Sequence, residues 1–361
     1  SGSPSGAESS VTMGKLESAF TSIRYHRHLD WSGTYRLARN SLEALSSNYS
    51  YERCVAYFHG GGALVMLGEL ERAEQYLTKA RNLSDSVKNP FAKLLTMSNF
   101  GNLYLSRGEL HRAMDIFRET YEFGVQCRAS QEAAYSSALV GSANLNYEWN
   151  DFDKAWECLN EAAVLNEKYD FFDRIIITHE AIIQLQCGEK DIDGAVETLQ
   201  RTIKLANVNK PTVTVSHRIA AFQAYLDYRN NKFDKAVEWA DHFARTSGER
   251  VRCELELEFF ILTSIRIAGG DYGKAIGLLR EMLTLARRQN RLRSVIRIMI
   301  LQSIVYFRMN QVRKGIKNLL ISLQLAEPEG YIRSFIDGGE AIRTQLKKIS
   351  KTKELLDDRQ W

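Results

Sequence analysis

The sequence predicts an all-α protein, a helical-repeat superhelix of about eight two-helix units followed by a C-terminal cap. The first observation is a short residue pattern that recurs eight times, at a spacing of about 40 residues, a period typical of α-solenoids. The second is composition: the 361 residues include only 4 prolines and 23 glycines, and 44% are hydrophobic. This composition supplies a buried core but lacks the frequent turns of a β-sandwich or a β-barrel.

Each copy of the pattern begins at a turn residue and reaches a small residue five positions later. The turn residues are Gly33, Gly68, Gly108, Asn150, Lys190, Asn231, Gly270 and Asn310. Glycine and asparagine readily adopt the left-handed conformation that ends a helix, so each copy marks a junction between two helices. The small residues are Ala38, Ala73, Ala113, Ala155, Ala195, Ala236, Ala275 and Gly315. After a shorter first interval, the spacing between successive small residues is nearly constant.

The residues around each small position predict a helix with one buried face. An apolar residue lies three positions before it, and Leu, Phe or Ala lies four positions after it. These spacings place all three on the same side of a helix. A second amphipathic stretch lies upstream of each copy, for example 51–67 and 91–107. Each unit is therefore predicted as a helix A, a tight turn and a helix B, which approach closely at the small residue.

The turn signature distinguishes between classes of helical repeat. A unit of about 40 residues is longer than a tetratricopeptide repeat of about 34 residues, and HEAT units are the alternative. The spacing typical of tetratricopeptide repeats is present at Gly101, Tyr104, Gly108, Leu110, Ala113 and Phe117. We therefore predict a tetratricopeptide-like superhelix in which the A helices line the concave side.

Three segments follow from this pattern. Residues 1–14 begin with Gly and Ser, so we expect a linker or a cloning remnant there, and a chain that is a piece of a longer protein. Residues 15–330 form the tetratricopeptide-like superhelix. Residues 331–361 carry a single helical pattern through Ile342 and Leu346, and they are predicted to cap the last unit.

The sequence lacks the patterns that carry catalysis or bind metals. The segment most similar to a phosphate-binding loop, Gly269–Ala275, has the wrong spacing and no Ser or Thr for magnesium. Five scattered cysteines include no C-x-x-C pair, which fits a reducing compartment and no zinc site. The apolar runs are far shorter than the roughly 18 residues of a membrane span. We expect a cytoplasmic protein that is not an enzyme, with no cofactor, no metal and no membrane contact.

Basic residues cluster over residues 282–326, where nine Arg and Lys side chains occur without an acidic residue. One interpretation is a patch for nucleic acid or an acidic partner. The other is ion pairing between repeats. Glu254 precedes Arg293 by the length of one unit, and this spacing would place the two side chains opposite each other. Glu258 precedes Arg297 by the same distance. We favour pairing, which leaves the basic residues at both ends of the stretch unexplained.

The concave groove is where a solenoid binds its ligands. The tetratricopeptide register places aromatic rings and amides toward it, which suits a polar small molecule, a sugar or a short peptide. The candidate ligand-binding residues are Phe58, Asn102, Asn144, Tyr147, Thr178, Tyr225 and Tyr228. We expect those of the middle units to converge on the inner surface.

A more specific pattern closes the repeats. Residues 325–340, LAEPEGYIRSFIDGGE, resemble the segment that ends the helical-repeat region of large ATP-dependent LuxR-type regulators, the MalT-like group. That group has Ala-x-Pro-x-Gly, then an aromatic and a hydrophobic residue, then Phe and an acidic Gly-Glu run. The length of the repeats is also similar to that group, so the resemblance covers residues 15–361.

The resemblance implies an effector-sensing and oligomerisation domain of a bacterial transcriptional activator. Such regulators carry a nucleotide-binding module before the repeats and a helix-turn-helix domain after them, and residues 1–361 show the motif of neither. A small-molecule inducer or short peptide in the groove would relieve autoinhibition, and self-association would follow. DNA would be contacted only through the absent domain. The alternative is a peptide- or protein-binding tetratricopeptide scaffold without DNA-linked function.

We predict that the chain alone binds duplex DNA weakly, because it has no helix-turn-helix motif and its net charge is only +4. An electrophoretic mobility assay at physiological salt checks this. Tight binding that disappears when the charges of Arg313 and Lys314 are reversed would instead favour a DNA-binding patch between Arg287 and Lys317.

Overall fold

The computed structural model describes residues 6–26, 29–127, 132–168, 172–209, 211–248 and 250–357. These residues form 18 α-helices and two short 3₁₀ turns, and they include no strand. The prediction of an all-α fold is confirmed. None of the described helices combines the length and the apolarity that crossing a bilayer requires.

The first sixteen helices form eight consecutive pairs, as the repeats predict, and two further helices follow. The pairs are α1 (Gly6–His26) and α2 (Trp31–Ala44), α3 (Ser50–Met66) and α4 (Leu70–Ser86), α5 (Pro90–Arg107) and α6 (Leu110–Gln126), α7 (Glu132–Glu148) and α8 (Phe152–Lys168), α9 (Phe172–Glu189) and α10 (Ile192–Asn209), α11 (Val213–Arg229) and α12 (Phe233–Thr246), α13 (Glu256–Ala268) and α14 (Tyr272–Arg288), and α15 (Leu292–Arg308) and α16 (Val312–Ala326). The 3₁₀ turns are Cys253–Leu255 and Glu327–Glu329, and the last helices are α17 (Arg333–Ile336) and α18 (Gly339–Asp357).

Seven of the eight predicted turn residues have a positive φ, which confirms their role in ending helix A. They are Gly68, Gly108, Asn150, Lys190, Asn231, Gly270 and Asn310. The first copy differs, because Gly33 lies inside α2 and the turn is at Leu29, with φ of 48°. The carboxylate of Asp30 accepts a hydrogen bond from the backbone N–H of Gly33 at 2.8 Å, so α2 begins one turn earlier than predicted.

The N-terminal segment differs from the predicted linker over residues 1–14, since α1 already begins at Gly6. A Cβ placed on Gly14 would lie 2.9 Å from the Cβ of Ala44, which shows how closely α1 packs on α2. Further along α1, Thr21 is fully buried, and its hydroxyl lies 3.0 Å from Nδ1 of His59 in α3. Small residues weaken the amphipathic pattern of α1. The stability of this helix therefore depends on its packing against α2 and α3.

The small residue of each helix B is buried, as predicted. Ala73, Ala113 and Ala155 are 0% exposed, and the residues four positions later are buried as well. Glycines on the A helices bring the backbones still closer. A Cβ on Gly101 would lie 2.2 Å from the ring of Phe117, and one on Gly141 would lie 2.3 Å from it. Phe117 therefore sits between α5 and α7, with no space for a methyl group on either side.

The eighth unit of the superhelix comes back onto the second and third units. In the turn before α15, Gln289 donates a hydrogen bond from Nε2 to the carbonyl of Leu67, in the turn after α3, at 3.0 Å. Helix α15 also packs on α5. Their contact belongs to one core cluster that joins Leu103 of the third unit to Ile296 and Ile300 of the eighth. The A helices thus line a central space.

The C-terminal segment completes this closure. Its helix α18 buries Ile342 fully, and the short α17 packs against α7. Trp149 donates from Nε1 to the carbonyl of Glu329 at 3.0 Å, and the backbone N–H of Ile332 donates to the carbonyl of Glu148 at 3.2 Å. The helix predicted through Ile342 and Leu346 is α18, the short α17 precedes it, and the segment also joins the eighth unit to the fourth.

We predict that Gly101→Ala lowers the free energy of unfolding by about 1–3 kcal/mol, because the added methyl group overlaps the ring of Phe117. The matched control is Gly277→Ala in α14, where an added Cβ meets no atom within 4 Å. That variant gains about 0.5–1 kcal/mol from helix propensity alone. Urea unfolding followed by circular dichroism measures both. Equal effects of the two substitutions would contradict the close packing at Phe117.

Candidate ligand-binding cavity

A cavity of about 390 Å³ lies inside the closed superhelix. Its walls come mainly from the A helices, from Tyr25 in α1 to Arg297 in α15. The cavity exists because the repeats curve back on themselves, so side chains that are distant in sequence face one another across it. Its volume is in the range of sites that bind small molecules.

Three of the seven predicted binding residues line this cavity: Phe58, Asn102 and Asn144. They come from α3, α5 and α7, which are the A helices of three successive units. The ring of Phe58 is buried, whereas Asn102 and Asn144 are half-buried. These three are the part of the predicted aromatic and amide set that lies on the cavity wall.

The other four predicted residues do not line the cavity, because each packs within the helical layer. The Tyr147 hydroxyl donates to Oδ2 of Asp337 at 2.8 Å, and burial raises the pKa of this tyrosine. Thr178 is fully buried and accepts a hydrogen bond from Nδ2 of Asn166 at 3.0 Å.

The last two predicted residues, Tyr225 and Tyr228, lie on α11 and also face other helices. The Tyr225 hydroxyl accepts a hydrogen bond from Nη1 of Arg229 at 2.8 Å. The ring of Tyr228 contacts Phe233 edge-on, with ring centroids 6.3 Å apart. Their expected convergence with the asparagines is corrected, since the cavity wall of α11 is formed by Arg218 and Phe222.

Several polar residues of the cavity wall were not predicted. Asn99 accepts a hydrogen bond from the hydroxyl of Tyr25 at 3.2 Å and donates to the carbonyl of Phe58 at 3.1 Å. These bonds connect the first, second and third units at the cavity edge. Asn99 precedes Asn102 by three positions on the same helical face, and this spacing could have identified it.

The strongest unpredicted feature is charge. The cavity wall includes five arginines and three glutamates, so the formal net charge of these residues is positive. Two of the arginines have acidic neighbours at short range. Nε of Arg218 lies 3.1 Å from Oε1 of Glu180, and Nη1 of Arg291 lies 2.7 Å from Oε1 of Glu256.

The predicted pairing of Glu254 with Arg293 and of Glu258 with Arg297 is wrong. Glu254 instead pairs with Arg252, at 3.8 Å, and Glu258 is 1% exposed with neither carboxylate oxygen bonded. The 3₁₀ turn Cys253–Leu255 delays the start of α13, and Glu256 is the residue that reaches α15. Pairing between neighbouring units does occur, but through other residues than the repeat spacing indicates.

Arg293 and Arg297 instead line the cavity. The guanidinium of Arg297 lies over the ring of Phe260, 4.4 Å from its centroid. Nε of Arg293 is buried and has no hydrogen-bond partner, and burial followed by the nearby Arg297 charge lowers the pKa of Arg293. The outer basic residues Arg287 and Arg313 are exposed and lie away from the cavity. The basic stretch is thus divided into an inner and an outer group.

This cavity is equipped for noncovalent binding. Amides of Asn102 and Asn144 offer donors and acceptors, Phe58 offers apolar surface, and the arginines offer charge-assisted donors. Groups of three or more potential metal ligands do not occur within the described part of the chain.

The chain matches the family model described as the MalT-like TPR region, over residues 26–352. It is similar to the HTH-type transcriptional regulator MalT of Serratia proteamaculans, with 22% identity over 334 residues, 87% of this chain and 34% of that protein. The MalT regulator of Yersinia enterocolitica is also 22% identical, over 87% of this chain and 35% of its own length. The chain therefore spans about one third of these relatives.

Solved structures with the same fold have low sequence identity. The Rap protein complexed with Competence and Sporulation Factor has a TM-score of 0.58 at 12% identity, over 96% of this chain and 99% of that one. NprR in complex with its cognate peptide NprX has a TM-score of 0.57 at 14% identity, over 87% and 91%. The APC/C hetero-tetramer Cut9-Hcn1 gives 0.57 at 16% identity, over 93% and 57%. At these identities the likeness shows the fold.

We predict that Glu258→Gln raises the melting temperature at pH 8 by about 2–4 °C. Burial raises the pKa of Glu258, so its ionisation opposes folding above that pKa. The cost disappears as the pH falls through the raised pKa toward the ordinary value of a glutamate. The difference between variant and wild type should therefore shrink from pH 8 to pH 5.

The control for this measurement is Glu119→Gln, since Glu119 is exposed on α6. Scanning calorimetry at several pH values compares both variants with wild type. A melting-temperature difference for Glu258→Gln that stays constant over this range would contradict a buried, poorly compensated carboxylate.

Proposed function

The chain belongs to the MalT-like TPR region family, and on this basis we propose that it is the effector-sensing domain of a bacterial transcriptional regulator. A small-molecule inducer or a short peptide enters the central cavity and binds among the A helices. The function is binding and signal transmission, without a catalytic step. The observation that carries the proposal is the cavity of about 390 Å³ with amide and arginine groups on its wall.

The relatives support a regulatory role for a domain of this kind. They are HTH-type transcriptional regulators, and the chain matches about one third of their length. We propose that a nucleotide-binding module and a helix-turn-helix domain flank the repeats in the full-length protein. DNA is then contacted by the helix-turn-helix domain, and this chain reports whether the effector is bound.

Contacts between the cavity and the C-terminal segment can transmit the signal that the effector is bound. Glu148 at the end of α7 accepts hydrogen bonds from the backbone N–H and the hydroxyl of Ser334, both at 2.9 Å. The same carboxylate attracts the charge of Arg293, which lines the cavity. A ligand that changes the position of Arg293 also changes the environment of Glu148 and of the C-terminal segment. Effector binding thereby shifts the balance between two arrangements of that segment.

We predict that Asn144→Trp abolishes effector binding, because the indole fills part of the cavity next to Asn102. The control is Asn82→Trp, since Asn82 is exposed on α4 and does not line the cavity. Native mass spectrometry after incubation with a bacterial metabolite and peptide extract gives the readout. We expect a ligand on wild type and on Asn82→Trp, with at least tenfold lower occupancy on Asn144→Trp.

The same measurement tests the scaffold alternative. A bound short peptide that Asn144→Trp removes would assign the site to peptide recognition, which is the type of complex that the NprR structure contains. Equal ligand occupancy on wild type and Asn144→Trp would overturn the effector-sensing proposal.

A further inference from the structure

Arg293 and Arg297 form an unusual pair on the cavity wall. They lie four positions apart on α15, so their side chains share one face of the helix. Both side chains line the cavity. Two like charges at this spacing repel each other, and an anion that bridges two neighbouring guanidinium groups relieves that repulsion.

The acidic side chains of the cavity wall pair with arginines other than Arg293 and Arg297. Among the residues that the structure describes, no carboxylate lies within 4.0 Å of the guanidinium of Arg293 or of Arg297. Glu256 lies 2.7 Å from Arg291 and accepts a hydrogen bond from Ser294 at 2.9 Å. Glu180 has Arg218 as its basic neighbour, at 3.1 Å.

Behind the wall, Glu148 exerts the largest attractive charge on Arg293. Its two oxygens already accept from the backbone N–H and the hydroxyl of Ser334. Tyr331 also faces Arg293, and burial raises the pKa of its phenol, so it stays neutral. The protein thus attracts the charge of Arg293 without providing a hydrogen-bonded anion.

Because the guanidinium of Arg293 is buried, the incomplete neutralisation of its charge is unfavourable in free energy. Nε of Arg293 is removed from solvent and unbonded, although a buried guanidinium nitrogen normally has an acceptor. The guanidinium carbon of Arg297 lies over the ring of Phe260, 4.4 Å from its centroid, and this ring provides no lone-pair acceptor for the N–H groups of Arg297. The remaining side of both arginines is the cavity, which is where an acceptor can enter.

We propose that Arg293 and Arg297 bind an acidic oxygen group of the effector, a carboxylate or a phosphate, and that the effector is therefore an organic anion. This inference rests on the proposed sensing function and deepens it. Arg293 and Arg297 hold the oxyanion, while Asn144 and Phe58, also on the cavity wall, contact the uncharged part of the ligand.

Isothermal titration calorimetry with two matched probe pairs tests the charge requirement. Glucose 6-phosphate is compared with glucose, and glutarate with glutaramide. We expect at least one anion to bind wild type at least tenfold more tightly than its neutral counterpart, and to bind more weakly as salt increases. The phosphate pair and the carboxylate pair separate the two possible acidic groups.

Arg293→Met and Arg297→Met should each weaken anion binding at least tenfold, whereas Arg293→Lys retains part of it. Arg287→Met is the control, since Arg287 is exposed and lies outside the cavity. Equal binding of charged and neutral probes, anion binding that survives Arg293→Met, or binding of neither anion would each overturn the inference.

The stability of the unliganded protein gives a second test that needs no ligand. Removing one of two half-buried like charges that are only partly neutralised should raise the melting temperature of Arg293→Met by about 1–3 °C. A decrease would show that Arg293 supports the fold itself, and it would overturn the inference.

The two proposals fail in different ways. A neutral ligand that is lost from Asn144→Trp but binds normally to Arg293→Met would leave the sensing function in place and refute the anionic effector. Ligand binding unaffected by Asn144→Trp would refute the sensing function of the cavity.

Discussion

Close approach between successive helices, made possible by alanine and glycine at fixed positions, determines the shape of this molecule. Gly60 of α3 faces Ala38 of α2, and a Cβ on that glycine would lie 2.9 Å from the alanine methyl group. Similar contacts recur along the chain because the small residues recur once in every unit. Short distances between helices set a tight curvature, and this curvature brings the eighth unit back onto the second and third units. The cavity is a consequence of that geometry.

The repeat-level features are predictable because they are local. A left-handed turn at Asn150 or Gly270 and a buried alanine five positions later depend on neighbours within one helix pair. The turn pattern misplaces the first unit because the aspartate cap at Asp30 extends α2 backward, and the pattern does not contain that residue. The first part of α1, over residues 6–14, escapes prediction since its stability depends on packing against α2 and α3.

The cavity is less predictable, because it is formed by contacts between distant units. Asn102 and Asn144 can be identified since one helical face decides their orientation. The same register assigns Tyr147 to the groove, but Asp337, far along the chain, accepts its hydrogen bond. The arginines of α15 reach the cavity only because α15 packs on α5. No periodicity within a single unit contains information about these contacts.

The contacts between early and late units also change how such a chain folds. In an open solenoid each repeat contacts only its neighbours, and stability is nearly a sum of unit and interface terms. Terminal repeats can then fray while the middle stays folded. Here the turn after α3 is bonded to Gln289, and the fourth unit is bonded to the C-terminal segment. Loss of the last units removes contacts from the second, third and fourth units, so partially unfolded arrays are disfavoured and unfolding becomes cooperative over those units.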